Sequence, residues 1–282
     1  MNDRVVIVGA TGWLGRAVTS TALSRGLHVL RMGRKNHEAI DAIANTRHEL
    51  TKTIEHFRPS VVVNCAGSIS GSPAELRSAN VELVQDLVAA CTAASVRLVQ
   101  IGSAAEYGDP GSCEPISEHA PLRPASEYGR TKAESSVLTL SSGQPGVVAR
   151  LFNVAGPNPP SSSLLADIFE KVTMSNGTVT LFNAEMRRDW VPLDYAAQAI
   201  VDVAIGDLPS GVVNICSGVG ITHGELAIAL ATALGLTISI RSLNMTGVRC
   251  VVGDPSLLHQ LTGRHPSSLA AEIAASCVLQ SN

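Results

Sequence analysis

A tyrosine and a lysine lie four residues apart near the middle of the chain, in Tyr128-Gly129-Arg130-Thr131-Lys132. On a helix, side chains at this spacing project from the same face. A free phenol has a pKa near about 10, too high for ready proton exchange at neutral pH. A neighbouring ammonium group and an oxidised nicotinamide would both favour the phenolate and lower that pKa. The spacing therefore suits acid–base chemistry on a substrate oxygen, although it also occurs by chance on many surface helices.

A glycine-rich turn at residues 9–15 follows an apolar run at the beginning of the chain. Gly9 permits a tight turn, Gly12 lets the backbone approach a pyrophosphate, and Gly15 lets the following helix pack closely. The positive end of that helix would face the phosphates. The spacing is GxxGxxG rather than GxGxxG, and the alternative is an ordinary strand–helix turn with incidental glycines. Together with Tyr128 and Lys132, the turn predicts an enzyme that moves a hydride between a nicotinamide and a carbinol or carbonyl carbon.

Cofactor preference should be set where the second strand ends, about 20–25 residues after the first glycine. An acidic residue there would hold a ribose 2′-hydroxyl, but the chain has Met32-Gly33-Arg34-Lys35. No carboxylate is present to repel a 2′-phosphate, and the Arg34 guanidinium is placed to pair with one. We therefore predict NADP(H) rather than NAD(H). The alternative is that Arg34 and Lys35 form a solvated loop pair.

A serine, Ser103, follows the apolar run at 97–102. Its hydroxyl would lie at the carboxyl edge of a sheet and could bind the substrate oxygen that Tyr128 protonates or deprotonates. Read alone, the motif is equally compatible with a serine that only satisfies the local backbone.

The elements that must position these residues alternate between strands and helices in the first half of the chain. Nearly continuous Val, Ile and Leu predict strands at 4–8, 27–32, 60–65, 97–102 and 147–152. Such runs are typical of strands buried on both faces. Helical spacing predicts helices at 16–24, 50–57, 80–94 and 127–140. This alternation predicts an α/β fold with a doubly wound parallel Rossmann sheet.

The second half is less regular, because the Pro- and Ser-rich residues 156–163 can continue neither a strand nor a helix. Helices are predicted at 164–175, 195–205 and 225–234, the last behind a capping box at Thr222, and strands at 179–182 and 212–215. We predict an NADP-binding domain over 1–155, to which 187–210 returns. A smaller C-terminal α/β lobe over 156–186 and 211–282 would bind the substrate, in the crevice at the carboxyl ends of the strands.

The composition argues against several function classes. With 45% hydrophobic residues, 16% charged residues and a formal charge of −3, the chain shows no basic stripe for nucleic acid and no polybasic membrane patch. No apolar run reaches the roughly 18 residues of a membrane helix, and no signal peptide is visible. The six cysteines are scattered without metal-ligand spacing. We therefore expect no metal site, and reduced, mostly buried thiols in a cytoplasmic protein.

Several segments, in order along nearly the whole chain, resemble the extended short-chain dehydrogenase/reductase superfamily. Within it they resemble the NAD(P)-dependent epimerase/dehydratase family that acts on nucleotide sugars. The matching motifs are TGxxGxxG at the turn, an NAAG-like strand end at 64–67, the helix-opening Asn80, SSAAVYG at 103–108, SPYGxSK at 126–132, RxFNVYGP at 150–157, RDFIHVDD at 188–194 and FNVGSG at 213–218.

The resemblance implies a role for each matching residue. The implied catalytic triad is Ser103, Tyr128 and Lys132, and Lys132 would also hold the nicotinamide ribose. The implied cofactor-binding residues are Gly9, Thr11, Gly12, Trp13, Leu14, Gly15, Arg34, Ala66, Gly67, Tyr128 and Lys132. The implied substrate-binding residues are Ser103, Ala104, Tyr128, Asn153 and Arg188. Arg188 would bind the diphosphate through its planar fork, and its alternative is a surface ion pair with Asp189.

Departures from the family pattern narrow the activity. Sugar 4,6-dehydratases carry an acid–base pair, typically TDE, where this chain has Ser103-Ala104-Ala105, and alanine cannot exchange protons. Asn244 stands where relatives often carry a second diphosphate-binding arginine, with Arg241 and Arg249 nearby. The stretch 115–124 and the short C-terminal lobe look most like the 4-keto-6-deoxy-sugar reductases.

The leading expectation is an NADPH-dependent reductase of a nucleotide-linked 4-keto-6-deoxyhexose. An epimerase would use the same triad but retain a tightly bound cofactor, usually NAD, which Gly33 and Arg34 argue against. The hypothesis from a different functional class is a dinucleotide-binding regulator or structural subunit that catalyses no reaction. The resemblance also implies a homodimer, paired through the helices at 80–94 and 127–140.

Overall fold

The computed structural model describes residues 3–33, 40–44, 46–143, 145–208, 210–243, 249–266 and 269–278. Its strands are β1 (Arg4–Val8), β2 (His28–Gly33), β3 (Ala42–Ile43), β4 (Val61–Asn64), β5 (Arg97–Ser103), β6 (Gly146–Leu151), β7 (Asn153–Ala155), β8 (Thr178–Phe182), β9 (Arg187–Pro192), β10 (Gly211–Ile215), β11 (Gly220–Thr222), β12 (Ser239–Leu243) and β13 (Cys250–Val251). Its α-helices are α1 (Trp13–Ser24), α2 (Arg47–Phe57), α3 (Pro73–Arg77), α4 (Leu83–Ala94), α5 (Glu127–Leu140), α6 (Leu164–Thr173), α7 (Leu193–Ile205), α8 (His223–Ala233), α9 (Ser256–Thr262) and α10 (Ala270–Val278). A π-helical segment (Ser78–Glu82) joins α3 to α4, and a 3₁₀ turn (Ala104–Glu106) follows β5.

Seven parallel strands form the central sheet, in the order β10-β6-β5-β4-β1-β2-β3. Val5 and Ile7 of β1 pack with α1 and α7 on one face, whereas Val6 and Val8 pack with α2 and α4 on the other. Helices therefore cover both faces, which is why the central strands are unbroken apolar runs. This arrangement confirms the predicted α/β, doubly wound Rossmann fold. The strand order reverses between β1 and β4, so a crevice opens beyond their carboxyl ends.

Local sequence signals explain where the helices begin. The predicted helix at 80–94 is the last part of a longer helical run, which starts at Pro73 behind Ser72. The Ser72 hydroxyl accepts from the Glu75 amide, and the Glu75 carboxylate accepts from the Ser72 amide, which forms a capping box. The capping box predicted at Thr222 is also present, at the beginning of α8.

A second hydrophobic core lies in the C-terminal half. It is formed by α6, α8 and α10 around the fully buried Trp190 of β9, with the parallel pair β8–β12 on its edge. Strand β9 also pairs with β7, β11 and β13. These small sheets place the second core beside the carboxyl ends of β5 and β6, and therefore beside the crevice.

The strand at Gly211–Ile215 was expected in the C-terminal lobe, and that expectation was wrong. As β10 it pairs in parallel with β6 and forms one edge of the central sheet. Helix α7 packs against α1 on the sheet surface and returns the chain to this edge. The next strand can therefore extend the large sheet rather than leave it.

The expectation of six reduced thiols was also wrong for two of them. Cys113 and Cys250 form a disulfide across 137 residues of sequence, with their Cα atoms 5.3 Å apart. The loop after the 3₁₀ turn runs beside β13, because the Ile116 amide donates to the Val252 carbonyl. The free thiols of Cys91, Cys216 and Cys277 are buried, and that of Cys65 is half-buried.

The described residues contain neither a helix that could cross a membrane nor a cluster of side chains that could hold a metal ion. Within those ranges, no helix is both long and apolar enough to cross a membrane. The same residues hold no group of three or more His, Cys, Asp or Glu side chains arranged to bind a metal ion.

Candidate active site

The glycine turn is built so that three backbone segments touch. Gly9 has a φ of +75°, and its amide donates to the Met32 carbonyl (3.0 Å) at the end of β2. A Cβ on Gly9 would lie 2.7 Å from the Ala66 nitrogen, and a Cβ on Gly15 would lie 2.1 Å from the Gly9 oxygen. Glycine is therefore required at both positions, where any side chain would push β1, α1 and the end of β4 apart.

The amino end of α1 is open toward the crevice. Its N-cap is Gly12, which has no side chain to cap the first amides of the helix, and helix N-termini of this kind bind phosphate groups. Trp13 fixes the direction of the helix start, because its indole nitrogen donates to the Pro157 carbonyl (2.8 Å). These residues fit the pyrophosphate of a dinucleotide, as the sequence predicts.

A cavity of about 210 Å³ lies on the β2 side of the turn and can hold the adenosine end of a dinucleotide. It is lined by Val8, Gly9, Thr11, Met32, Gly33, Ala44, Leu50, Ala66, Gly67, Ala79 and Leu83, so none of the described residues around it carries a carboxylate. Asp41 follows β2, but its carboxylate is bound by the Arg31 guanidinium at 2.5 and 2.9 Å. Arg34, the predicted partner of a 2′-phosphate, lies outside the described residues.

The three residues predicted to be catalytic converge at the carboxyl end of β5. Ser103 ends the strand and lies beside Tyr128 of α5, since the two residues line the same cavity. One turn further along α5, the buried Lys132 ammonium donates to the Ile101 carbonyl (2.5 Å). The Ser126 hydroxyl accepts from the Gly129 amide and fixes the first turn of α5. A Cβ at Gly129 would lie 2.5 Å from the Ala105 oxygen, so this glycine lets α5 approach Ser103 closely.

The protonation states of this group are set mainly by burial. Burial raises the pKa of Tyr128, the hydrogen bond with Ser103 opposes that rise, and the Glu106 carboxylate adds to it. Burial lowers the pKa of Lys132 to about 8, against the opposing effects of Glu106 and Cys65. The sequence-based expectation of a lowered Tyr128 pKa is therefore wrong for the protein alone, because burial outweighs the lowering effect of Ser103. Tyr128 is protonated at neutral pH, as a proton donor must be.

Two cavities meet at Ser103 and Tyr128. The larger, of about 550 Å³, extends from Gly12, Trp13 and Leu14 past Ala66 and Gly67 to Lys132. The smaller, of about 320 Å³, extends toward the C-terminal core and is lined by Ser103, Ala104, Ala105, Gly108, Ala125, Ser126, Tyr128, Leu151, Phe152, Asn153, Arg188 and Val251. The Tyr128 hydroxyl therefore stands between a space that leads to the glycine turn and a space that ends at Arg188.

Asn153 and Arg188, which were predicted to bind the substrate, both line the smaller cavity. They come from the adjacent strands β7 and β9, and the Asn153 amide donates to the Asp189 carbonyl (3.1 Å). The Asp189 carboxylate points elsewhere, since it accepts from the amides of Ser217, Gly218 and Gly253. The alternative of a surface ion pair between Arg188 and Asp189 is therefore wrong. Burial lowers the pKa of Arg188, which keeps its charge and can bind an anion in the cavity.

Arg241 and Arg249 were left open as replacements for a second diphosphate-binding arginine. Arg241 lies exposed on β12, and the Arg249 carbonyl accepts from the Arg187 amide at the edge of β9. Neither lines either of the two cavities in the described part of the chain. Asn244 lies outside the described residues.

Sequence reasoning assigned no role to Asn80, which the structure places beneath the larger cavity. Asn80 lies in the π-helical segment between α3 and α4, a distortion that is frequent at functional sites. Its side chain exchanges two hydrogen bonds with the backbone of Ser68 and donates to the Thr131 hydroxyl (3.1 Å). Thr131 in turn donates to the Tyr128 carbonyl. Asn80 therefore holds the wall of the cavity against α5. The π-helical irregularity marks this position, but the periodicity of the sequence does not reveal it.

Comparison with known proteins agrees with this geometry. The sequence profile of the NAD dependent epimerase/dehydratase family matches residues 5–216. The dTDP-6-deoxy-L-talose 4-dehydrogenase (NAD(P)(+)) of Kitasatospora kifunensis is 30% identical over 257 residues, which cover 84% of this chain and 81% of that protein. The methionine adenosyltransferase 2 subunit beta of Xenopus laevis is 28% identical over 84% of this chain and 73% of its own length.

A solved structure shows the same fold. The Bordetella bronchiseptica enzyme WbmG, in complex with NAD and UDP, superposes with a TM-score of 0.84 at 23% identity. The superposition covers 98% of this chain and 94% of that one. The shared architecture thus includes both the central sheet and the C-terminal core.

Proposed function

The chain belongs to the NAD dependent epimerase/dehydratase family, and from this premise we propose that it reduces the 4-keto group of a nucleotide-diphosphate-linked 4-keto-6-deoxyhexose with NADPH. One observation carries the proposal. The hydroxyls of Ser103 and Tyr128 are the proton-exchanging groups where the two cavities meet, and no carboxylate or imidazole is among the described residues that line the smaller one. Such a site can protonate an alkoxide, but it lacks the second acid–base group that elimination of water requires.

The cofactor fits the glycine turn because Gly9 and Gly15 leave no room for side chains and the first amides of α1 are uncapped. The amides of residues 12–14 would hold the pyrophosphate, and Lys132 would hold the nicotinamide ribose. When bound, NADPH supplies the hydride that adds to C4. Tyr128 then donates its proton to the C4 oxygen, which becomes the product hydroxyl, and the Ser103 hydroxyl orients that oxygen by a hydrogen bond.

The smaller cavity supports a 6-deoxy sugar as the substrate. Much of its wall is made of Ala104, Ala105, Gly108, Ala125 and Val251, which offer apolar surface to a methyl group. Arg188 lies at the far side, where its guanidinium can bind a diphosphate. The Kitasatospora relative is named for a dTDP-linked 6-deoxy sugar and for chemistry at C4, which supports the same assignment.

The direct test is NADPH oxidation by the purified protein against a panel of nucleotide-linked 4-keto-6-deoxy sugars, with product stereochemistry determined by nuclear magnetic resonance. We expect turnover with at least one member of the panel and no release of water from nucleotide-linked hexoses. Turnover with none of them, at a protein concentration where the cofactor binds, would rule the proposal out.

Two alternatives predict different results in simple experiments. An epimerase would co-purify with tightly bound NAD, which mass spectrometry of the released nucleotides would detect. A dinucleotide-binding subunit without turnover would bind the cofactor and leave every keto sugar unchanged. One relative is named as a subunit, the beta subunit of methionine adenosyltransferase 2. The intact set of Ser103, Tyr128 and Lys132 favours the reductase over this second alternative.

We predict that NADP(H) binds more tightly than NAD(H) and that Arg34→Ala removes the difference. The adenosine cavity offers no described carboxylate to repel a 2′-phosphate, and Asp41 is held by Arg31. A hydrogen bond to a charged group contributes about 1.5–3 kcal/mol, or roughly tenfold or more in affinity. Fluorescence titration of both proteins with both cofactors tests this, and NAD is the matched control because it lacks the phosphate. Equal affinities for the two cofactors in the wild type would contradict it.

We also predict a homodimer that pairs α4 and α5 with their copies. Val137 and Leu140 on the outer side of α5 are 56% and 37% exposed, which leaves apolar surface where a two-fold contact would bury it. Val137→Glu should convert the dimer to a monomer in light scattering at micromolar concentration. Met174→Glu is the control, because Met174 is 75% exposed beyond the end of α6. A monomeric wild type at that concentration would count against the dimer.

A further inference from the structure

A buried carboxylate lies directly behind Ser103, outside the lining of both cavities. Glu106 is fully buried, and its Oε1 accepts from the Ser103 amide at 2.7 Å. Its Oε2 accepts from the Ser136 hydroxyl (2.8 Å) and from Nε of Arg150 (2.9 Å). One carboxylate thus connects the end of β5, the middle of α5 and strand β6.

The residues around Glu106 leave space for its carboxylate and pair its charge. A Cβ at Gly102 would lie 2.7 Å from Glu106 Oε1, so glycine there makes room for the acid. Arg150 is itself buried and continues the contacts outward, since its Nη1 donates to the Tyr107 hydroxyl, which donates to the Asn214 side chain.

We propose that Glu106 is a positioning residue for the reaction: it fixes the Ser103 backbone so that the serine hydroxyl meets the Tyr128 hydroxyl, and it presents the negative end of the Glu106–Arg150 pair to the site. This inference rests on the proposed reductase function. The geometry supports both parts, because Oε1 faces Ser103 while Arg150 binds Oε2 on the opposite side of the carboxylate. Glu106 does not line the cavities, so it acts through Ser103 and through its charge.

The charge acts in the direction that reduction requires. Reduction begins with a protonated Tyr128 and a charged Lys132, and Glu106 raises the pKa of both side chains. The other groups that face them are the Ser103 hydroxyl from β5, the Cys65 thiol beyond β4, and Arg188 from β9 across the smaller cavity. Without the carboxylate, both groups should lose their protons at lower pH.

The test replaces the pair as a unit, by Glu106→Val with Arg150→Met, because either single change would leave a buried charge unpaired. We expect the double variant to fold and to bind NADPH as the wild type does. Its kcat for keto-sugar reduction should fall by roughly 10- to 100-fold, since Ser103 loses its anchor. The alkaline limb of its pH–kcat profile should move to lower pH. Thr139→Val, which removes a buried hydroxyl on α5 that donates to the Ser135 carbonyl rather than to Glu106, should change neither quantity.

A second variant separates the effect of the Glu106 hydrogen bond to Ser103 from the effect of the Glu106 charge. It also provides the test if the double variant does not fold. Glu106→Asp keeps the negative charge but withdraws it from the Ser103 amide, so kcat should fall while the alkaline limb stays near its wild-type place. Ultraviolet titration of the Tyr128 phenolate, taken as the difference from Tyr128→Phe, gives the ionisation without any substrate. In the double variant the phenolate should form at lower pH.

The outcomes distinguish this inference from the proposed function. A wild type that reduces no keto sugar contradicts the proposed function, and the phenolate titration still decides whether Glu106 controls Tyr128. A wild type that is active, with a folded double variant or a Glu106→Asp variant of unchanged kcat and pH profile, overturns the positioning role.

Discussion

Tyr128→Phe should lower turnover by about 10²–10⁴-fold, which is the usual contribution of a positioned general acid. The change removes one hydroxyl, which lies beside Ser103 where the two cavities meet. The ring keeps its packing, so folding and cofactor affinity should stay close to those of the wild type. The measurement is kcat for NADPH oxidation with a 4-keto sugar, beside a cofactor titration of the same protein.

Tyr195→Phe is the matched control for this experiment. The Tyr195 hydroxyl is buried in the packing of α7 and has no hydrogen-bond partner within the described ranges. Its removal should leave both turnover and stability nearly unchanged. Turnover of Tyr128→Phe within a few-fold of the wild type would defeat the proposed proton transfer, whatever the substrate is.

Much of the fold could be predicted because the signals that define it are local. Strand β1 and helix α5 were predicted with the bounds that the structure shows, since an unbroken apolar run and a 3.6-residue period are properties of a few neighbouring residues. The edge strand β10 was misplaced because its partner, β6, is about 65 residues earlier in the chain. Pairing over such distances depends on how α7 packs on α1, which no local pattern reveals.

In the candidate site, too, local sequence predicted some features and missed those that depend on residues distant in the chain. Ser103, Tyr128 and Lys132 were predicted together from motifs, and the structure brings them to one place. The predicted direction of the Tyr128 pKa shift was wrong, because segments far apart in sequence bury the phenol and raise its pKa. The Cys113–Cys250 disulfide and the Glu106–Arg150 pair were missed for a related reason. In both pairs, the sequence around one residue does not indicate which distant residue it contacts.

Lys132→Ala should differ from Tyr128→Phe by weakening cofactor binding as well as turnover. The Lys132 ammonium is buried at the wall of the larger cavity, anchored on the Ile101 carbonyl, and can reach a ribose hydroxyl there. Loss of a hydrogen bond from a charged group costs about 1.5–3 kcal/mol, so NADPH affinity should fall roughly tenfold or more. Turnover should fall further, because Tyr128 loses the positive charge that stabilises its phenolate after proton transfer.

Lys132→Met separates the charge from the packing, since it fills most of the space that alanine would leave empty. If the ammonium acts through its charge, Lys132→Met and Lys132→Ala should lose similar factors in NADPH affinity and turnover. The pH dependence of cofactor affinity gives a second test, because burial lowers the pKa of Lys132 to about 8. Wild-type cofactor affinity should decline as the pH rises through that value and the ammonium loses its proton, whereas the affinity of Lys132→Met should stay flat. A methionine variant with wild-type affinity and the wild-type pH profile would show that Lys132 is only a packing residue.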